Sequence, residues 1–114
     1  SIATTALKGN VGIGTTAPGS LLELSKSGTA DLRITDTATD TADEAVQGQL
    51  TFYGRYTSGT TVPGTMSAIK SVRGADAGIS GGELSFWTQG NAGAIADQTI
   101  YERMRIDKLG NVGI

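Results

Sequence analysis

Three sets of side chains in this chain are of types that do chemistry. The first is carboxylate. Glu23, Glu83 and Glu102 each sit in a short run of alternating residues. Two carboxyl groups about 5–10 Å apart can cleave a glycosidic bond, one donating a proton while the other attacks or activates water. The spacing marks no pair among the three, and the chain has no His and no Cys, which removes the commonest general base and the thiol nucleophile. Catalytic residues are therefore expected to be absent, and Glu102 is expected to pair with Arg103 or Arg105 instead. Asp36, Asp40, Asp43 and Glu44 form a denser acidic cluster. Calcium needs six to eight converging oxygens, and these spacings are not those of an EF-hand loop. A solvated loop is the plainer reading, with no metal site and no cofactor.

The second set is glycine. The run "GNVGIG" at 9–14 places glycines close together, as phosphate-binding loops do. A dinucleotide fingerprint has the order G-x-G-x-x-G between a strand and a helix. Here the order is G-x-x-G-x-G and Pro18 follows, so phosphate chemistry is not implied. The third set is aromatic. Trp87, Tyr53 and Tyr101 fall on the polar parity of their runs. Such rings can stack on a sugar or anchor a partner chain, since Trp and Tyr are enriched at interfaces. An interface between copies is the favoured role and glycan contact the alternative. Arg33, Arg55, Arg73, Arg103 and Arg105 are expected to make cross-strand ion pairs.

The elements that must hold these residues are strands. "LLELSKS" (21–27), "DLRITDT" (31–37), "GQLTFYGRYTSG" (48–59), "ELSFWTQG" (83–90) and "TIYERMRID" (99–107) alternate with period two. Leu50, Phe52 and Tyr56 share a parity. Leu84 and Phe86 oppose Glu83, Ser85 and Trp87. Ile100, Met104 and Ile106 oppose Tyr101, Arg103 and Arg105. In "TMSAIKSVRG" (65–74), Met66, Ala68 and Val72 agree while Ile69 breaks the pattern, which a bulge or a strand covered on both faces would explain. Gly-rich turns separate the runs, and 36–49 reads as a loop with an acidic tip. The expected class is all-β, an antiparallel sandwich-like module.

Composition limits how well such a module stands alone. Of 114 residues, 17 are Gly and only 5% are aromatic, so each side chain buries little apolar area and ordering the backbone is costly. Copies of the chain are the simplest source of the missing contacts. The net charge of −2 argues against a nucleic-acid partner, and no run nears the ~20 apolar residues of a membrane-spanning helix.

The pentapeptide Gly-Asn-Val-Gly-Ile occurs twice, at 9–13 and 110–114, 101 positions apart (110 − 9). That period suits tandem modules of one domain each. Residues 1–20 read as a connector strand, 21–107 as the β-module and 108–114 as the start of the next connector. Val11, Ile13, Val112 and Ile114 form the apolar edge of the two connectors, and Pro18 stiffens the first. At these residues a family likeness emerges. "ERMRIDKLGNVGI" and "GNVGIGTTAPGSLLEL" resemble the junction between β-modules of bacteriophage tail fibres and related virion appendages. The interior runs "LRITDT", "AIKSVRG" and "ELSFWTQG" are similar to the same modules. The resemblance implies a stiff homotrimeric fibre, extracellular and part of the virion, whose partners are its own copies and neighbouring modules, with a host-surface glycan as a possible ligand. A carbohydrate-binding adhesin domain is the alternative, a depolymerase a remote third, and a bacterial surface filament the alternative location.

Overall fold

A computed structural model of the chain describes residues 9–38, 42–55, 63–75, 81–90 and 99–114. Asp40, Tyr56, much of the turn segments and the side chain of Arg55 lie outside the described residues. The described chain is all-β, with seven strands: β1 (Val11–Ile13), β2 (Leu22–Leu24), β3 (Val46–Arg55), β4 (Pro63–Arg73), β5 (Gly82–Gln89), β6 (Ile100–Ile106) and β7 (Val112–Gly113). It divides into two units, Ser1–Arg33 and Ile34–Ile114.

In the first unit β1 and β2 pair in parallel, Val11 opposite Leu22 and Ile13 opposite Leu24. The crossover between them is short for parallel strands, and it is tied by local bonds. Asn10 donates to the Pro18 carbonyl at 3.1 Å, and the Gly19 N–H donates to the Glu23 carboxylate at 2.8 Å. Gly14 takes φ +82°, where a Cβ would collide with the Ser25 carbonyl. The connector is thus engaged with "LEL" of its own chain, within the compact unit that ends at Arg33. "DLRITDT" forms no strand: residues 31–37 have no ladder partner, and Leu32 and Ile34 are exposed. Alternation makes a segment fit for a sheet, but the ladder also needs a neighbour.

The second unit is a five-stranded antiparallel meander in the order β3-β4-β5-β6-β7. The acidic stretch before it makes a turn at Asp43–Glu44, and β3 begins at Val46, inside the segment expected to be loop. The register sorts side chains into two faces. On one, Leu50, Ile69, Phe86 and Met104 form a row across four strands. Ser71, Leu84, Ile106 and Val112 form the next row, and Phe52, Ser67, Thr88 and Tyr101 a third. On the other face, Gln49, Lys70, Ser85, Arg105 and Gly113 line up, beside Thr51, Ala68, Trp87 and Glu102.

This register resolves Ile69. It lies on the apolar face with Leu50 and Phe86, while Ala68 and Val72 face the other way. β4 therefore carries apolar residues on both sides, and its ladder with β3 is also irregular between Phe52 and Tyr53, where Met66 is the extra residue. It also corrects β6. The ladder shifts between Phe86 and Trp87, so that Met104 faces Phe86 but Glu102 faces Trp87. Arg103 is the extra residue of a bulge. Ile100 is consequently separated from Met104 and Ile106, and Tyr101 moves to the apolar side opposite Thr88.

Candidate functional site

The polar face is built around Arg105. Its Nη1 lies 2.6 Å from Glu44 Oε2 and 2.7 Å from Glu83 Oε2, and its Nη2 lies 2.7 Å from Glu102 Oε2. Nε donates to Glu102 Oε1 at 2.9 Å, which makes the Glu102 contact bidentate. In a regular strand residues 102 and 105 would point to opposite faces. The bulge at Arg103 turns them to the same one. The hydrogen bonds from Arg105 hold the Glu102 carboxyl below its usual range, against the opposing effect of burial. The Arg105 guanidinium is raised in turn by its bonds to Glu102, Glu44 and Glu83. Glu44 reaches this cluster from a left-handed backbone, φ +63°, which a non-glycine residue adopts at a cost. Its N–H bonds to the Arg73 carbonyl, and Asp43 pairs with Arg73 at 3.2 Å. Two members of the expected acidic cluster are thus taken up by arginines. Asp36 caps its own loop by accepting from the Ala38 N–H. Among the described residues no three acidic side chains are disposed to hold a metal ion.

Beside the arginine lies Trp87. Its indole N–H donates to Ser85 Oγ at 2.7 Å, and Ser85 is fully buried. The Lys70 ammonium sits 3.9 Å from the ring centroid, a cation–π contact. On this face Ala68, paired with Trp87, and Val72, paired with Glu83, are 3% and 2% exposed. Long amphipathic side chains thus stand on this face, engaged with one another.

The three aromatic residues singled out by parity do not form one cluster. Trp87 lies on the polar face. Tyr101 stands opposite Thr88 on the apolar face, where the Arg103 guanidinium lies 5.6 Å from its ring and Arg103 Nε donates to Thr88 Oγ1. Tyr53 is on β3 opposite Thr65, separated from β5 by β4. The Trp87 polar handle, which a sugar ligand would use, is already engaged. Of the expected ion pairs, Arg105 with Glu83 and Glu102 forms. Glu23 bonds instead to the Gly19 backbone.

Among the described residues the apolar face is more open. Leu50 and Phe52 are 47% and 49% exposed, Leu84 and Tyr101 are exposed at its centre and edge, and Val112 is exposed at the far strand. The Ile34 methyl lies close to Gly48 on this side.

The connector residues fall at both ends. Val11 and Ile13 face β2. Val112 lies in β7 beside β6, with Ile114 just beyond it, and both are exposed. The hairpin that delivers β7 depends on Asp107. Its carboxylate accepts from the Leu109 and Asn111 N–H groups at 2.9 and 2.8 Å and from the Asn111 side chain at 2.9 Å. Those bonds hold its pKa below the usual value, the Asn111 side chain contributing most. Gly110 takes φ +87° to close the turn. The D-x-x-G-N spacing is a turn signal that could have revealed Asp107 beforehand. Lys70 carries no comparable signal, because its contact is made across strands. Comparison with protein-family models, curated proteins and solved structures found no match to the chain.

Proposed function

We propose that the chain is a structural module of a homotrimeric extracellular appendage, of the tail-fibre kind that its junction sequences resemble. It acts mechanically, giving length and stiffness, and performs no chemistry. The observation that carries this reading is the contrast between the two faces of the sheet. On one face the long polar side chains are ion-paired and stacked with one another, and Ser85, Ala68 and Val72 are buried. The other presents rows of Leu, Ile, Phe and Met to the surroundings. An exposed apolar surface of that kind marks an interaction site. Sister copies packing these faces together would supply the second layer of a sandwich and exclude water from the rows. Three copies around an axis satisfy each face with a neighbour, and closed symmetry prevents unlimited lateral growth.

A single cysteine tests the covering of this face, because the chain has none of its own. Ser71 lies in the second apolar row and is exposed in the single chain. In Ser71→Cys the thiol is expected to react slowly with a bulky thiol reagent at assembly concentrations and rapidly after dilution. Equal, fast rates at every concentration would contradict the reading.

A further inference from the structure

The two copies of Gly-Asn-Val-Gly-Ile use opposite backbone edges. In the first copy the Val11 N–H donates to the Leu21 carbonyl at 2.8 Å, and the Ser25 N–H donates to the Ile13 carbonyl at 2.9 Å. With the parallel register, the peptide groups of Val11 and Ile13 point at β2, and those of Asn10 and Gly12 point away. In the second copy the Asp107 N–H donates to the Asn111 carbonyl at 2.9 Å. Gly113 is paired with Arg105 and Val112 with Ile106. Hydrogen-bonded and non-bonded pairs alternate along an antiparallel ladder. The peptide groups of Asn111 and Gly113 therefore point at β6, and those of Val112 and Ile114 point away. Aligned by sequence, Val112 corresponds to Val11 and Ile114 to Ile13. The edge left open in the second copy is the edge that the first copy gives to β2. The edge left open in the first is the one that the second gives to β6.

We infer that this pentapeptide is a shared strand: at the junction of two modules one Gly-Asn-Val-Gly-Ile holds β6 of the first on its Asn/Gly edge and the Leu22–Leu24 segment of a second copy on its Val/Ile edge. The occupant of the open β7 edge is thus a second copy of this module, joined head to tail, in the register Val112 to Leu22 and Ile114 to Leu24. One ladder then runs through the junction, antiparallel on one side and parallel on the other. Val112 and Ile114, 57% and 104% exposed here, gain the leucines that Val11 and Ile13 already have. A junction of this kind resists bending, because every peptide group of the connector is bonded to one module or the other. The inference deepens the mechanical role proposed above but stands on register alone, and needs no particular number of chains side by side.

The test is a tandem protein in which residues 14–114 follow directly after Ile114, so that one pentapeptide serves both modules. Amide exchange is compared with that of the single chain. In the single chain the Gly113 N–H is expected to be protected, and the Val112 and Ile114 N–H groups to exchange freely. In the tandem, Val112, Ile114 and the second module's Glu23 and Ser25 amides are expected to slow by about a hundredfold or more. Val112→Pro removes only an outward N–H, so it is expected to leave the single chain folded and to abolish the new protection in the tandem. Free exchange at Val112 and Ile114 in a tandem whose second sheet is folded would overturn the inference. Because exchange at the junction is read separately from the number of associated chains, a trimer without junction protection would sink the shared strand alone. Junction protection in a monomer would sink the trimer alone.

Discussion

The two faces of the five-stranded sheet are made from the same strands and are finished in different ways. On the Arg105 face, ion pairs and a cation–π stack engage the long side chains with one another, and Ser85, Ala68 and Val72 are buried. On the Phe86 face, larger apolar groups line up in rows and stay half exposed. Polar side chains can cover a sheet because their charged ends reach water while their stems exclude it. Leu, Ile and Phe have no such ends, and they need another surface. The difference teaches which face is satisfied by the chain's own side chains and which one the proposal assigns to sister copies.

Substitutions on neighbouring residues of β4 should break the comparison most sharply. Ile69→Asp puts a charge in the middle of the apolar rows. It is expected to cost about 3 kcal/mol per copy in association and to convert assembled protein to monomer, read by light scattering. Lys70→Met, one residue away on the opposite face, is expected to leave the mass unchanged. It should lower the melting temperature by only a few degrees, as a lost cation–π contact of about 0.5–1 kcal/mol would. If both variants dissociate equally, the faces do not have separate roles.

Arg105→Met tests how the polar face holds itself together. It leaves Glu44, Glu83 and Glu102 without the guanidinium that bonds all three, at an expected loss of about 2 kcal/mol, since the cluster is only partly buried. Chemical denaturation should show the loss while the assembled mass at low denaturant stays the same. Acid should sharpen this further. The Glu102 pKa is lowered in the folded chain, so its contribution is fully present above the unfolded value of about 4.3. It fades as pH falls through the lowered folded value. Wild type should therefore lose stability more steeply than Arg105→Met as the pH falls below the ordinary carboxylate range, in melts followed by circular dichroism.

The smallest effect is expected at Glu44. Glu44→Gly relieves a left-handed backbone worth about 1 kcal/mol and gives up an exposed ion pair of similar size. Its net change should be within about 0.5 kcal/mol by denaturant titration. Glu44→Ala, which loses the ion pair without the relief, should be clearly worse.

Much of this arrangement was legible in the sequence wherever strands are regular. β5 alternates without interruption at its centre, and the opposition of Leu84 and Phe86 to Glu83, Ser85 and Trp87 follows from period two alone. In β6 the simple alternation fails before Arg103, because a bulge leaves no mark in local composition yet moves Ile100, Tyr101 and Glu102 to the other face. Ile69 looked like an exception because β4 carries apolar groups on both sides. Residues 31–37 alternate as a strand does, but pairing depends on a neighbour that local pattern cannot supply. The pentapeptide repeat was visible at once. The two different edges it presents were not, since hydrogen-bond direction is set by the partner strand.

The dependence of the apolar face on sister copies is tested most directly by the mass of the intact chain in solution, measured by sedimentation equilibrium across a dilution series with circular dichroism on the same samples. The account predicts three chains per particle at higher concentrations, with strand signal falling as the particles dissociate. A fully folded single chain that persists through the whole series, its spectrum unchanged, would contradict it.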